Sequence, residues 1–372
     1  MDSPKFLNQR YNPVNEPIER SVNMQTLSSQ VKPLLLSSNA SIHGSISSYE
    51  MLANYLPTCE KLFTSHRSTT QIHTRILSRL LRTFAVSSWY QLSSARLEFL
   101  AWRRSRSRKY SPIHILWGER DLGYLDHLNN AALNPLCCTF HACSDDLPNI
   151  FYSPERLKNL SAIVIVSETQ RQFFETCGVK PERIHCIPLG VNTNFFTPKQ
   201  SEQSQQPFTV LSVGNYRRNF PLLREVFQRL EKNSEICIKV VSSRANSHYF
   251  ADLKNVQFMS NLSDGQLLEV YQSASCQIVA VENATANNAL LEGLACGLPT
   301  ITAKIGGIEE YASEACAIFV ENQPEAFAEA ISMLANRPAK WAEMAKSARQ
   351  RALELEWSNV AKQVETLYLS LL

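Results

Sequence analysis

Apolar and polar positions fall along the chain in two successive series, each made of short apolar runs followed by helically spaced apolar residues. In the first series the runs are Pro33–Ser37, Ile113–Trp117, Leu136–Phe140 and Ala162–Val166, with a shorter one at Ile184–Pro188. Ala162-Ile163-Val164-Ile165-Val166 is apolar throughout, the pattern of a strand buried on both faces of a parallel sheet. It leads into Ser167-Glu168-Thr169-Gln170, whose capping-box spacing predicts a helix carrying Phe173 and Phe174. Ile46, Tyr49, Leu52, Ala53 and Leu56 also have helical spacing. Residues 197–207 hold no large apolar side chain and read as a linker.

After the linker the alternation restarts. Strands are predicted over Phe208–Val213, Ile236–Ser242, Val256–Met259, Gln277–Val281 and Thr300–Ala303. One helix carries Leu222, Leu223, Val226, Phe227 and Leu230, another opens at Ser263-Asp264-Gly265-Gln266, and a third lies around Asn287–Ala295. Two runs of strand–helix alternation predict an α/β protein of two Rossmann-like parallel-sheet domains, each wound right-handed. The expected division is an irregular arm over 1–30, a first domain over 31–196, the linker 197–207, a second domain over 208–356 and a final helix over 357–372.

Composition agrees with two cores: 372 residues and 42.1 kDa, with 44% hydrophobic and 19% charged residues, exclude a disordered chain. Only 11 glycines occur, and five of them fall between 265 and 307, where backbone is expected to do something a side chain would obstruct. The 10 cysteines include no Cys-x-x-Cys and several sit in apolar runs, so buried free thiols in a reducing compartment are expected. The first residues contain no apolar signal-like run and no stretch is long enough to span a membrane, which gives the expectation of a cytoplasmic protein. The net charge of +3 hides one strongly basic stretch. Residues 66–109 hold nine arginines and one lysine against Glu98 alone, interleaved with Phe84, Trp89, Tyr90, Phe99 and Trp102. That pattern suits a solvated helix face or a surface that meets anionic lipid at the inner face of a membrane; nucleic acid is not expected as a partner.

Ligands of doubly wound sheets bind at the carboxyl ends of the strands. In the second domain three strand ends are polar: Gly214-Asn215-Tyr216-Arg217-Arg218, Glu282-Asn283-Ala284-Thr285-Ala286-Asn287-Asn288, and Lys304-Ile305-Gly306-Gly307. Two arginines beside a helix N-terminus and a Gly-Gly loop form a diphosphate pocket on this reading. Glu292, on the helix that opens near Asn287, is expected to face the cleft and accept hydrogen bonds from a ribose diol. Asp145-Asp146 has no companions at metal-ligand spacing and reads as a surface loop; no metal site is expected.

Several segments match one family in the right order. Val164–Gln170, Val179–Asn192 and Asn194–Pro198 resemble the centre of the retaining family 4 glycosyltransferases of the GT-B fold (group 1 glycosyltransferases). Leu291-Glu292-Gly293-Leu294-Ala295-Cys296-Gly297-Leu298-Pro299, followed by Gly306-Gly307-Ile308, resembles the same family's donor motif. The resemblance covers roughly residues 110–372. It implies a nucleotide-diphosphate sugar as co-substrate, no cofactor, no required metal, and transfer with retention to an acceptor hydroxyl, with a lipid-linked or envelope glycan as the acceptor. By position it implies that His141 contacts the transferred sugar, that Arg217 and Arg218 neutralise the leaving diphosphate, that Glu292 holds the ribose, and that Gly44 approaches the phosphates from the first domain. Gly214, Glu282, Asn283, Thr285, Asn287, Asn288, Gly306 and Gly307 complete the expected donor site.

Two positions depart from the family pattern. A pair of glutamates with seven residues between them is usual, and here the first position is Ala284; Asn215 stands where an arginine usually follows Val-Gly. Two other readings therefore accompany the transferase: a sugar-nucleotide epimerase or hydrolase of the same fold, and a non-catalytic sugar-nucleotide-binding subunit.

Overall fold

The computed structural model describes residues 32–39, 46–65, 72–107, 109–128, 134–199 and 207–372. Within them are two six-stranded sheets in which every pairing is parallel. The first holds β1 (Lys32–Asn39), β2 (Glu60–Ser65), β3 (Tyr110–Ile115), β4 (Leu136–Phe140), β5 (Ala162–Ile165) and β6 (Ile184–Cys186), in the order β2-β1-β3-β4-β5-β6. The second holds β7 (Phe208–Val213), β8 (Ile236–Val241), β9 (Val256–Met259), β10 (Cys276–Val279), β11 (Thr300–Thr302) and β12 (Ala317–Phe319), in the order β12-β11-β10-β7-β8-β9. Both are open α/β sheets of the GT-B kind.

The pattern of side chains explains these strands. β4 and β5 are buried at every position, as central parallel strands covered on both faces must be. β8 instead alternates, with Ile236, Ile238 and Val240 buried between less buried Cys237, Lys239 and Val241, because its second face is only partly covered. Two edge strands depart from the sequence reading. β2 mixes polar and apolar residues, and β12 is only three residues long, so neither shows a clear apolar run. The segment with helical spacing at 46–56 forms a short 3-10 turn, Tyr49–Asn54, before the chain enters β2.

Both predicted capping boxes are present: Ser167 with Gln170, and Ser263 with Gln266. All ten cysteines are free thiols, seven of them buried. The arm over 1–30 lies outside the described residues.

One cluster of buried residues joins the two domains. It includes Tyr49, Val164 and Val191 from the first half, Leu290, Leu291 and Ile308 from the second, and Trp357, Val364 and Tyr368 from the helix Trp357–Leu371. That helix packs on the 3-10 turn of the first domain, and Tyr368 Oη meets Nδ1 of buried His114 at 2.6 Å. His114 Nε2 contacts Thr139 Oγ1 at 2.7 Å, and burial lowers the imidazole pKa to about 3, so the ring is neutral.

Candidate functional site

In each sheet the strand order reverses once, and a crevice opens at the carboxyl ends beside that reversal. In the second sheet it lies between β7 and β10, whose trailing loops carry Arg218 and residues 282–288. The two loops meet directly: Arg218 bridges Val281, and the Glu282 N–H donates to the Arg217 carbonyl at 2.9 Å.

Arg218 is the central group. It is only 7% exposed. Its Nε donates to the Val213 carbonyl at 2.9 Å and its Nη2 to Asn287 Oδ1 at 3.1 Å. Nη1 is buried and has no acceptor among the described residues. Burial lowers this guanidinium to about 10, against the opposing pull of Tyr271 and Glu292. Gly214 explains how it fits: a Cβ there would lie 2.9 Å from Arg218 Nε, and the backbone adopts φ 118°. Asn287 serves twice, since its side chain also caps the helix Asn288–Ala295 through the Leu290 N–H at 3.1 Å.

Glu292 lies one turn into that helix and is 5% exposed. Tyr271 Oη donates to its Oε2 at 2.8 Å, and Ser47 of the first domain also hydrogen-bonds it. Burial outweighs these bonds and raises its pKa to about 7. The cleft-facing carboxylate read from the sequence is thus a buried, partnered one, because Tyr271 and Ser47 close over it. A narrow, partly open crevice remains beside it, lined by Ser47, Gly190, Asn192, Asn288 and Glu292 among others.

The structure separates the two arginines that the sequence placed together. Arg217 turns outward, and its Nη2 pairs with Asp145 at 3.0 Å and with Asp146, both from the loop after β4. The bond to Asp146 holds its pKa above the usual arginine range. Asp145-Asp146 is therefore an ion-paired contact between domains rather than a simple surface loop. With Cys143 the two acids form a compact group, and the guanidinium supplies the neighbouring positive charge.

Three of the other expected donor residues reach the first domain. Thr285 Oγ1 donates to the His141 carbonyl at 2.7 Å, Asn283 Nδ2 to Asp145 Oδ1 at 2.8 Å, and Asn288 Nδ2 to the Ser47 carbonyl at 2.9 Å. Glu282 is exposed. Gly306 has φ 58°, and a Cβ on it would stand 2.1 Å from the Ala284 carbonyl oxygen. The Gly307 N–H donates to that same oxygen at 2.8 Å, so Ala284 anchors the Gly-Gly loop through its backbone. Gly44 lies outside the described residues; Ser47 is the neighbouring described residue that reaches the site.

On the first-domain side, His141 stands at the carboxyl end of β4. Its Nε2 donates to the Leu116 carbonyl at 2.8 Å, and its ring lies 4.0 Å from Trp117 and 4.6 Å from Tyr49 between centroids. Buried Glu119 holds the turn: its Oε1 accepts from the Ala142 N–H at 2.7 Å and from the His141 N–H. Burial raises the Glu119 carboxyl to about 6. The sequence reading missed Glu119, Tyr271, Ser47 and Tyr49. Glu119, directly after the strand-ending Gly118, carried a usable signal, whereas Tyr271 reaches Glu292 from a different helix and carried none.

Comparison with known proteins adds the following. The family described as "Glycosyl transferases group 1" matches residues 194–351. A D-inositol 3-phosphate glycosyltransferase of Acidothermus cellulolyticus is 24% identical over 226 residues, covering 53% of this chain and 50% of the relative. An MMP alpha-(1->4)-mannosyltransferase of Mycolicibacterium hassiacum is 21% identical over 217 residues, 55% of this chain and 53% of the relative. The matched part thus spans about half the length of these curated relatives. Among solved structures, a glycosyltransferase from Rickettsia africae superposes with TM-score 0.70 at 17% identity, covering 92% of this chain and 99% of that one. HepE from Anabaena, solved in complex with UDP, does so with TM-score 0.66 at 14% identity, covering 91% and 100%. These likenesses show the fold, that of the GT-B glycosyltransferases.

Proposed function

We propose, from the premise that residues 194–351 belong to the group 1 glycosyl transferases, that this protein transfers a sugar from a nucleotide-diphosphate sugar to an acceptor hydroxyl with retention of configuration. The observation that carries the reading is Arg218. A buried guanidinium with one N–H group lacking an acceptor, beside a capped helix N-terminus, is a preorganised anion site. Its position at the strand-order reversal is where such folds hold nucleotides. HepE, of the same fold, was solved with UDP, which supports a nucleoside diphosphate here.

On this reading Arg218 and the Asn288–Ala295 helix stabilise the charge that develops on the departing diphosphate. Glu292 accepts from the ribose, after Ser47 gives way. His141, fixed by Leu116 and Glu119, faces the sugar from the first domain. In a same-face transfer the anomeric carbon–phosphate oxygen bond breaks as the acceptor oxygen bonds to that carbon. The acceptor proton then passes to the leaving diphosphate oxygen. Ala284 removes a carboxylate from the family's usual sugar contact and leaves a backbone carbonyl, so the sugar hydroxyl pattern recognised here differs from that of most relatives.

For the acceptor we propose a lipid-linked or envelope glycan met at an anionic membrane. The helices Ile72–Thr83 and Leu92–Ser105 and the segment between them support this: Leu80 and Phe84 are 62% and 75% exposed beside Arg79 and Arg82, with Trp89 and Phe99 also exposed. Among the described residues no helix is long and apolar enough to cross a membrane. The surface therefore suits lying on a bilayer.

A panel of sugar nucleotides, read by released nucleoside diphosphate with and without a glycolipid extract, tests the activity. Acceptor-dependent release from one donor is expected. Acceptor-independent consumption favours the epimerase or hydrolase reading, and binding without any turnover favours the non-catalytic subunit.

A further inference from the structure

His141 is held by more than its backbone. Its imidazole belongs to a closed circuit of side chains at the carboxyl ends of β1, β3 and β4, beside the strand-order reversal of the first sheet. The Trp117 ring lies 4.0 Å from the imidazole between centroids, and the Arg120 guanidinium lies over the same indole at 5.3 Å. Arg120 Nη2 donates to Ser37 Oγ at 3.0 Å and to Asp121 Oδ2 at 3.1 Å, and faces Glu50 Oε1 at 3.6 Å. Ser37 and Ser48 donate to Glu50 at 2.6 and 2.7 Å. Tyr49, the residue before Glu50, closes the circuit with its ring edge-on to the imidazole at 4.6 Å.

We propose that Trp117 and Arg120, with Glu50, are positioning residues that set the ring plane and the tautomer of His141. The inference rests on the transferase reading for the sugar that His141 meets, but not for the way its ring is held. The Leu116 carbonyl can only accept, so Nε2 carries the ring proton and Nδ1 is the unprotonated nitrogen. A histidine χ2 is broad, and a modest rotation would lose that bond. The indole and the Tyr49 edge restrict the ring to the plane in which Nε2 reaches the carbonyl. Arg120 in turn fixes the indole. Its planar guanidinium serves Ser37, Asp121 and Glu50 while still covering the ring, which a lysine ammonium cannot do. These anchors come from β1, the 3-10 turn Tyr49–Asn54 and the helical turn Gly118–Asp121, so the support is tied to the sheet. The three charged side chains are at most 11% exposed, and their pairing is little screened by salt.

The test uses the full chain with isotope-labelled histidine. Long-range proton–nitrogen correlation spectra read the tautomer, and His141→Gln assigns the His141 signals. In wild type, at a pH where the imidazole is neutral, the two ring nitrogens should give well-separated signals with Nε2 protonated. Trp117→Leu should draw the two signals together as both tautomers are sampled, while those of His248, in the second domain, stay in place. Trp117→Phe keeps a flat ring and should restore the separation. In donor turnover Trp117→Leu should lower kcat about tenfold, and Trp117→Phe should recover it to within about threefold. Titration with UDP, GDP and ADP should give the accepted nucleotide a Kd within about twofold of wild type in both variants. Should Trp117→Leu fail to fold, Glu50→Gln combined with Arg120→Gln, which leaves the net charge unchanged, is read in the same way. Mixed tautomers in wild type, or Trp117→Leu signals or kcat that match wild type, overturn the proposal. If the spectra behave as expected and wild type turns over no donor, the transferase reading fails while the assignment of the ring support stands.

Discussion

Arg217 and Arg218 are adjacent in sequence and opposite in circumstance. Arg218 is buried, fixed by a carbonyl and an asparagine, left with one unsatisfied N–H group, and lowered to about 10. Arg217 is at the rim, paired with two carboxylates of the other domain. A cation in a dry pocket is expensive unless something anionic completes it, whereas a cation at a rim is already compensated and screened. The difference teaches that the pocket is built for a ligand and the rim for a contact between domains, although both derive from one five-residue loop.

The largest expected effect lies in the pocket wall. Gly306→Ala places a Cβ against the Ala284 carbonyl in a left-handed backbone, and should cost about 3 kcal/mol in urea unfolding. A loss below half of that means the loop yields and does not define the pocket. Next is the pH dependence of stability. Glu292 is raised from 4.5 to about 7, so the folded state binds its proton more tightly than the unfolded chain does. Its contribution is complete below about pH 4.5 and is lost as pH rises through about 7, by at most about 3 kcal/mol. Glu292→Gln should flatten the fall in stability between those values, leaving the shares of Glu98 and Glu119, also raised by burial. An unchanged slope contradicts the burial of Glu292.

Asn287→Ala removes a helix cap and a partner of Arg218, for about 1 kcal/mol in the same unfolding assay. The smallest effect concerns the rim. Raising salt from about 0.1 M to about 1 M shortens the screening length from about 10 Å to about 3 Å. This should leave the unfolding midpoint nearly unchanged, because the rim pairs are part-exposed while a buried apolar cluster joins the domains. A large midpoint shift would mean the rim pairs support the fold itself.

The sequence made the two-domain alternation legible because central parallel strands such as Ala162–Val166 have to be apolar on both faces. It also marked the helix starts at Ser167 and Ser263, where the capping geometry is local. Edge strands β2 and β12 escaped because half-covered or three-residue strands impose little on their residues. At the site, the loops after β7 and β10 were found, since strand ends and a helix N-terminus are sequence features. What their side chains touch was not. Asp145-Asp146 carries no mark of meeting Arg217, 71 residues away from Asp146, and nothing near Glu292 announces Tyr271. Long-range polar pairing is decided by how the domains pack, which no local pattern encodes.

The central claim is that Arg218, rather than Arg217, is the diphosphate anchor. Calorimetric titration of wild type, Arg218→Gln and Arg217→Gln with one accepted nucleoside diphosphate tests it most directly. Charge-assisted hydrogen bonds contribute about 1.5–3 kcal/mol each, so Arg218→Gln should weaken binding by about 100-fold. Arg217→Gln should stay within about threefold of wild type, because its guanidinium is engaged at the rim by Asp145 and Asp146 rather than in the pocket. Equal losses in the two variants, or a larger loss at Arg217, would contradict the account.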